Sequence, residues 1–276
     1  MSGVFSPPWG IFPAEQYLIR NWNPSSNLSP NDQTRKLIRS FMSMDEIPAE
    51  WRAGKNGTIS RIPTTEEVRE ILQPWRSDKI RKIADQLLHE TCDNLVVLRT
   101  CYDSEGGDEK MQQLITLEED ADGMGFLHEE LWWRYLDDRE LYDFGDNWNR
   151  VFDLLPELVG HSGRRRSIDP AKLAEGRASE SPEGDIQYLA LSDRPLLIAS
   201  RDVLEGEDEA EYEVVFLDGY GNPVRYSSVG PDDMMYLRMA PQRGMQLSQW
   251  WADGEVAEPY EADGEMGRVL YRAAKS

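Results

Sequence analysis

The chain changes its hydrophobic period at residue 95, and that change most limits what it can fold into. Leu95-Val96-Val97-Leu98 is an unbroken apolar run with no room for helical alternation, closed by Arg99 and Thr100. A run this short and apolar reads as a strand buried on both faces, as in sheets covered by helices. Before it, the pattern is helical. Residues 31–43 carry a helical signal, and Thr64 with Glu67 fits a capping box ahead of Val68, Ile71 and Leu72. Ile80, Ile83, Ala84, Leu87 and Leu88 then repeat at helical spacing, with Ser77 as the cap and His89 on the opposite, solvated side. The first 29 residues hold Pro7, Pro8, Pro13 and Pro24 among Trp9, Phe12, Tyr17 and Trp22, and read as an irregular arm with apolar anchors.

Beyond the strand, the acidic and glycine residues from Asp103 to Asp108 lead into a helix near Lys110 to Leu114. A short strand and a second acidic turn at Glu118 to Gly125 are expected next. Leu127 to Tyr142 places Leu131, Trp132, Tyr135 and Leu136 at helical offsets, so it reads as a helix packed on the sheet. Residues 160–184 shift to Ser, Gly, Arg, Glu and Pro, the composition of a flexible loop. Strands are expected at Leu196–Ala199, Tyr212–Leu217 and Val224–Ser227, the last two joined as a hairpin through Asp218 to Pro223. Met234 to Met239 reads as a further strand and Gln246 to Trp251 as a short helix. The expected fold class is α/β or α+β, a mixed sheet with flanking helices preceded by a helical N-terminal region. The expected layout is an arm and helical region over 1–92, a mixed α/β domain over 93–259 containing the loop at 160–184, and a tail at 260–276.

Val97-Leu98-Arg99-Thr100 followed by Tyr102-Asp103, together with the run from Leu196 through Asp218, resembles an uncharacterised family of bacterial and fungal α/β domains. Those domains are similar in opening on a strand with an Arg-Thr pair and in ending on several strands before a short helix. The resemblance spans residues 93–255. It implies a fold and no activity.

Charge bears on partners. Acidic side chains outnumber basic ones by 51 to 30, for a formal net charge of −21 at pH 7. A surface this negative repels phosphate backbones and anionic lipid and attracts cations. The expected partner is therefore a basic protein or cationic ligand, with no nucleic acid and no membrane. The basic side consists of 23 Arg and only 7 Lys, a bias consistent with coding preference, salt adaptation or forked ion pairs. Cys92 and Cys101 are too few for a disulfide framework, and no stretch approaches the roughly 20 apolar residues of a bilayer span. A cytoplasmic location is expected.

Three places carry candidate chemistry. Glu118, Asp120, Asp122 and Glu129 stand at positions one, three, five and twelve of a possible Ca²⁺ loop with Gly123 at six, although Glu replaces Asp at the first position. The alternative there is a solvated acidic turn and no cofactor at all. Trp132, Trp133, Tyr135, Asp138, Asp143, Asp146 and Trp148 mix rings with acids, as a sugar or cation site requires, or as a helix with one aromatic and one acidic face. Arg164-Arg165-Arg166-Ser167 presents Ser167 as a phosphorylation site, or simply as the end of a basic docking patch. Nucleophile and His-based zinc patterns are weak. Gly160-His161-Ser162-Gly163 has Arg164 where a nucleophile elbow needs Gly, and the three histidines are not clustered. The function that follows is a soluble intracellular binding protein, non-catalytic, recognising a basic partner. A hydrolase-type enzyme using carboxylates beside residues 131–148 is the alternative, and whether the chain is catalytic stays open at this point.

Overall fold

A computed structural model describes residues 6–51, 59, 61–89, 95–122, 132–159, 195–206, 211–234, 237, 254–261 and 263–268. The chain divides into two compact units, Met1–His89 with Asn149–Ser167, and Glu90–Trp148 with Ile168–Ser276. The expected loop at 160–184, Ser167 with its three arginines, Gly123 and Glu129, and the helix at Gln246 to Trp251 lie outside the described residues.

The first unit is helical. The stretch read as an irregular arm contains α1, Pro13–Asn21, because Pro13 occupies the first helical turn, where a missing N–H costs nothing. Helix α2, Pro30–Met42, starts the same way, with Ser29 Oγ accepting the Asp32 N–H. The capping box forms in both directions. The Glu67 N–H donates to Thr64 Oγ1 at 3.2 Å, and the Thr64 N–H donates to Glu67 Oε2 at 2.9 Å. It opens α3, Thr65–Glu67, which continues through a π-turn at Val68–Leu72 into α4, Gln73–Trp75. Pro74 removes a donor from the ladder here, and the Gln73 N–H reaches back to the Val68 carbonyl. Helix α5, Asp78–His89, begins where Ser77 Oγ accepts the Ile80 N–H at 3.4 Å. The short helix Val151–Leu154 and the 3-10 turn Pro156–Val159 complete the unit from far along the chain.

Two buried ion pairs hold this unit. Arg76 forks onto Glu157 at 2.9 and 2.7 Å with both side chains 0% exposed. Arg81 Nε donates to Glu15 Oε1 at 2.8 Å, Arg81 Nη2 to the Pro8 carbonyl at 2.8 Å, and Glu15 Oε2 accepts the Gly10 N–H at 2.6 Å. Rings cover both guanidinium groups, Trp75 at 3.7 Å from Arg76 and Trp9 at 3.7 Å from Arg81. Guanidinium suits such sites because its planar fork matches a carboxylate and stacks on an aromatic face.

The second unit carries a six-stranded mixed sheet of order β2-β1-β3-β4-β5-β6. Its strands are β1 Val96–Arg99, β2 Tyr135–Leu136, β3 Leu196–Ala199, β4 Tyr212–Leu217, β5 Pro223–Val229 and β6 Glu255–Val256. Strands β2 and β3 flank β1 in parallel, and β4, β5 and β6 follow antiparallel. All four residues of β1 and of β3 are buried, as the unbroken apolar runs require. On one face Val97, Leu197, Ala199, Val214 and Phe216 join a core with Met111, Leu114 and Ile115 of α6, Gly107–Asp122. The β4–β5 turn closes on buried Asp218, whose carboxylate accepts the Tyr220 and Asn222 N–H groups and the Tyr260 hydroxyl. Tyr260 thereby ties the start of the expected tail into the core.

Several local expectations change. Helix α6 runs to Asp122, so the expected short strand and acidic turn at Glu118 are helical. Met111, Leu114, Ile115 and Glu118 follow one helical face and are all buried. Leu127 to Tyr142 is not one helix. Trp132–Arg134 forms a 3-10 turn, β2 follows, and α7 is limited to Arg139–Tyr142. Pairing of Tyr135 and Leu136 with Val97 and Leu98 outweighs helical propensity, and Asp138 restarts the helix as its cap by accepting the Glu140 N–H at 3.1 Å. Met234 continues a 3-10 turn, Pro231–Asp233, where a strand was expected. Among the described residues no helix is long and apolar enough to cross a membrane.

Candidate functional site

In open sheets with parallel strands, ligands bind beyond the carboxyl ends of those strands where the strand order reverses, which in this sheet is between β1 and β3. Here the parallel strands are β2, β1 and β3, and their carboxyl ends lead into Thr100–Gly106, Asp137–Asp138 and Ser200. The first segment is bonded to the chain that follows the second. The Gly145 N–H donates to the Thr100 carbonyl at 2.8 Å, and Arg139 of α7 donates to Asp103.

Arg99 is the centre of this region. It is the last residue of β1, and it is only 4% exposed. Its Nε donates to the Cys101 carbonyl at 3.1 Å and its Nη2 to Asp108 Oδ1 at 2.6 Å, while Nη1 lies 3.6 Å from Asp137 Oδ1. Its guanidinium sits 4.5 Å from the centre of the Tyr102 ring. Asp108 stands in the first turn of α6, where a carboxylate also meets the positive end of the helix. The turn that brings it there needs glycine at Gly106 and is tight at Gly107. Gly106 takes φ +73°, and a Cβ on Gly107 would fall 2.1 Å from Ser104 Oγ.

The two acids that meet Arg99 differ in setting. The Asp108 side chain is 84% exposed and that of Asp137 is 31% exposed, so a buried cation is balanced by carboxylates that still face water. Burial, then the charge of Asp137, pushes the Tyr102 hydroxyl well above its ordinary pKa, so this group stays protonated. Around the pair, Asp103, Glu105, Asp143 and Asp146 are exposed. The arrangement is a rim of carboxylates over one buried arginine, suited to receiving cationic groups.

The aromatic residues singled out from sequence take separate places. Trp133 and Tyr142 are buried, each 1% exposed, and Trp148 is half-buried at the start of the turn Trp148–Arg150. Tyr135 donates its hydroxyl to Glu118 Oε2 at 2.6 Å, and burial followed by the Glu118 charge raises its pKa. Trp132 opens the 3-10 turn before β2. Asp138, Asp143 and Asp146 do come together with the β1 end, through α7 and the loop that follows it.

The acidic loop proposed from spacing takes another form. Glu118, Asp120 and Asp122 lie on α6, and both Glu118 oxygens are engaged, Oε1 accepting Arg134 Nη2 at 2.7 Å and Oε2 the Tyr135 hydroxyl. Arg134 Nε also donates to the Leu95 carbonyl at 2.7 Å, so this buried cluster locks α6 to the edge of the sheet. Among the described residues no group of three or more His, Cys, Asp or Glu side chains is disposed to hold a metal ion.

Sequence reasoning did not select Arg99 or Asp108 as site residues. The available signal was an arginine directly behind a buried parallel strand, followed at once by an acidic, glycine-rich turn. No protein-family model, curated protein or solved structure matches this chain. The functional reading therefore comes from these residues alone.

Proposed function

We propose that the protein is an intracellular, non-catalytic binding module that recognises a basic partner through the carboxylate rim beyond β1 and β2. One observation carries the reading. Asp103, Glu105, Asp108, Asp137, Asp143 and Asp146 lie in the segments that follow the carboxyl ends of the parallel strands β1 and β2. Among the described residues the opposing charges nearby are Arg99, buried beneath them, Lys110, which donates to the Gly206 carbonyl, Arg139, paired with Asp103 and 4.0 Å from Asp143, and Arg201, whose charge acts on Asp103. A lysine- or arginine-rich segment would replace water around carboxylates that stay exposed in the free protein. Such recognition acts mainly on encounter rate and selectivity.

Fluorescence anisotropy with a labelled Lys/Arg-rich peptide tests this. Affinity is expected to fall steeply as salt is raised, and Glu105→Gln/Asp143→Asn/Asp146→Asn to weaken binding about tenfold while leaving Arg99 paired. Binding indifferent to salt, or unchanged in the triple variant, contradicts the reading.

A further inference from the structure

The first unit carries a surface of opposite character. Along the outer face of α2 runs an open trough of about 460 Å³ lined by Asp32, Arg35, Lys36, Arg39, Ser40 and Ser43. Three cations within five residues reverse the balance of the whole chain. The two arginines are also held in place. Asp153 of the helix Val151–Leu154, 17% exposed, lies 3.4 Å from Arg35 Nε and 3.6 Å from Arg39 Nε. A single carboxylate thus braces both guanidinium groups along their Nε edges. Arg35 makes a further approach, 3.8 Å to the exposed Asp32, and each guanidinium carries Nη donors besides its Nε.

Against Arg35, Lys36 and Arg39 stand the carboxylates of Asp153 and the exposed Asp32, so a surplus of positive charge remains among these groups. At the far end of the trough the Ser40 and Ser43 hydroxyls donate to the carbonyls of Lys36 and Ser40, at 3.0 and 2.9 Å. Each hydroxyl oxygen, having donated, retains acceptor capacity. Donors for carboxylates at one end and acceptors for amide N–H groups at the other describe a site for polypeptide. A bare phosphate would use the first set and not the second.

Spacing supports an extended chain. Arg35 and Arg39 are separated by about 6 Å along the helix axis, and alternate residues of an extended strand by about 6.6 Å. The geometry points to a docking surface for an extended acidic segment of a partner protein, with carboxylates at alternate positions on Arg35 and Arg39 and a further one beside Lys36. At physiological salt the screening length is about 8 Å, so the ligand responds to the trough and little to the net charge of the chain. This surface is separate from the acidic rim and stands or falls without it.

Anisotropy of the full chain with a labelled alternating Glu-Thr peptide, at physiological salt, tests the proposal. The alternating peptide is expected to bind tighter than one of equal composition with its glutamates in a block. Arg35→Gln/Arg39→Gln is expected to weaken binding about tenfold, Lys36→Gln about threefold, and Asp32→Asn to tighten it. Lys36 and Asp32 are exposed, so those two variants keep the test sound should the arginine pair affect folding. No binding by the wild type, equal affinity in Lys36→Gln, or displacement of the peptide by an equal concentration of inorganic phosphate would overturn it. Loss of Lys/Arg-peptide binding at the rim would leave this result unchanged.

Discussion

Arg76 and Arg81 in the first unit and Arg99 in the second are all buried, yet they are neutralised in different ways. Arg76 and Arg81 each meet a glutamate that is itself fully buried, under a tryptophan ring, so both partners are withdrawn from water together. Arg99 meets two aspartates that remain partly or largely exposed. A closed pair fixes a fold, because neither charge has anywhere else to go. A half-open one fixes a cation beneath a surface and leaves acids facing outward, which is what a recognition site needs.

That contrast breaks most readily at the closed pairs. Glu157→Gln leaves Arg76 buried without its counter-charge and is expected to cost about 3–5 kcal/mol, read as the shift in urea midpoint of the first unit. Replacing both partners together, Arg76→Met with Glu157→Leu, should recover most of that loss. If the single variant costs no more than an exposed pair, the pair is not closed.

At Arg99 the expectation is smaller, because two acids share the work. Asp108→Asn leaves Asp137 and the Cys101 carbonyl in place, so about 1 kcal/mol is expected, and the double variant with Asp137→Asn should cost more than the two single losses added. Strict additivity would show that the two aspartates do not act on one cation.

The smallest effect concerns pH. Burial, then the nearby Asp202, raises the pKa of Glu213 on β4 above its ordinary value of 4.5. A raised carboxyl favours the protonated folded state, so its contribution is fully present below pH 4.5 and is lost as pH rises through the folded value. Glu213→Gln should flatten that part of the stability curve and change stability near pH 7 by about 0.5 kcal/mol, seen in melts across pH. An unchanged curve would place Glu213 in water.

Much of this fold was legible in sequence. The unbroken apolar runs at 95–98, 196–199 and 214–217 fall in strands because such a run has one stable use in a covered sheet. Thr64 with Glu67, and Ser77, mark helix starts through chemistry that is complete within four residues. Where the reading failed, the deciding contact was distant. Glu118 looks like a solvated acid until Arg134 and Tyr135 are brought against it, and Tyr135-Leu136 looks helical until β1 offers it a pairing edge. The site divides in the same way. Asp138, Asp143 and Asp146 stood out by local density, whereas Arg99 joins Asp108 and Asp137 only once a helix crosses between β1 and β2. The bias toward arginine was visible throughout, and its use in forked, ring-covered pairs became clear only from partners 66 and 81 residues away.

On the proposed reading, the rim beyond β1 and β2 receives a basic partner. Amide NMR shifts of the full chain during titration with a Lys/Arg-rich peptide at physiological salt test it most directly. The account requires the largest shifts at Thr100–Gly106 and Asp137–Asp146, with those at β4 and β5 nearly still. Shifts that are absent, or that centre elsewhere in the chain, would contradict it.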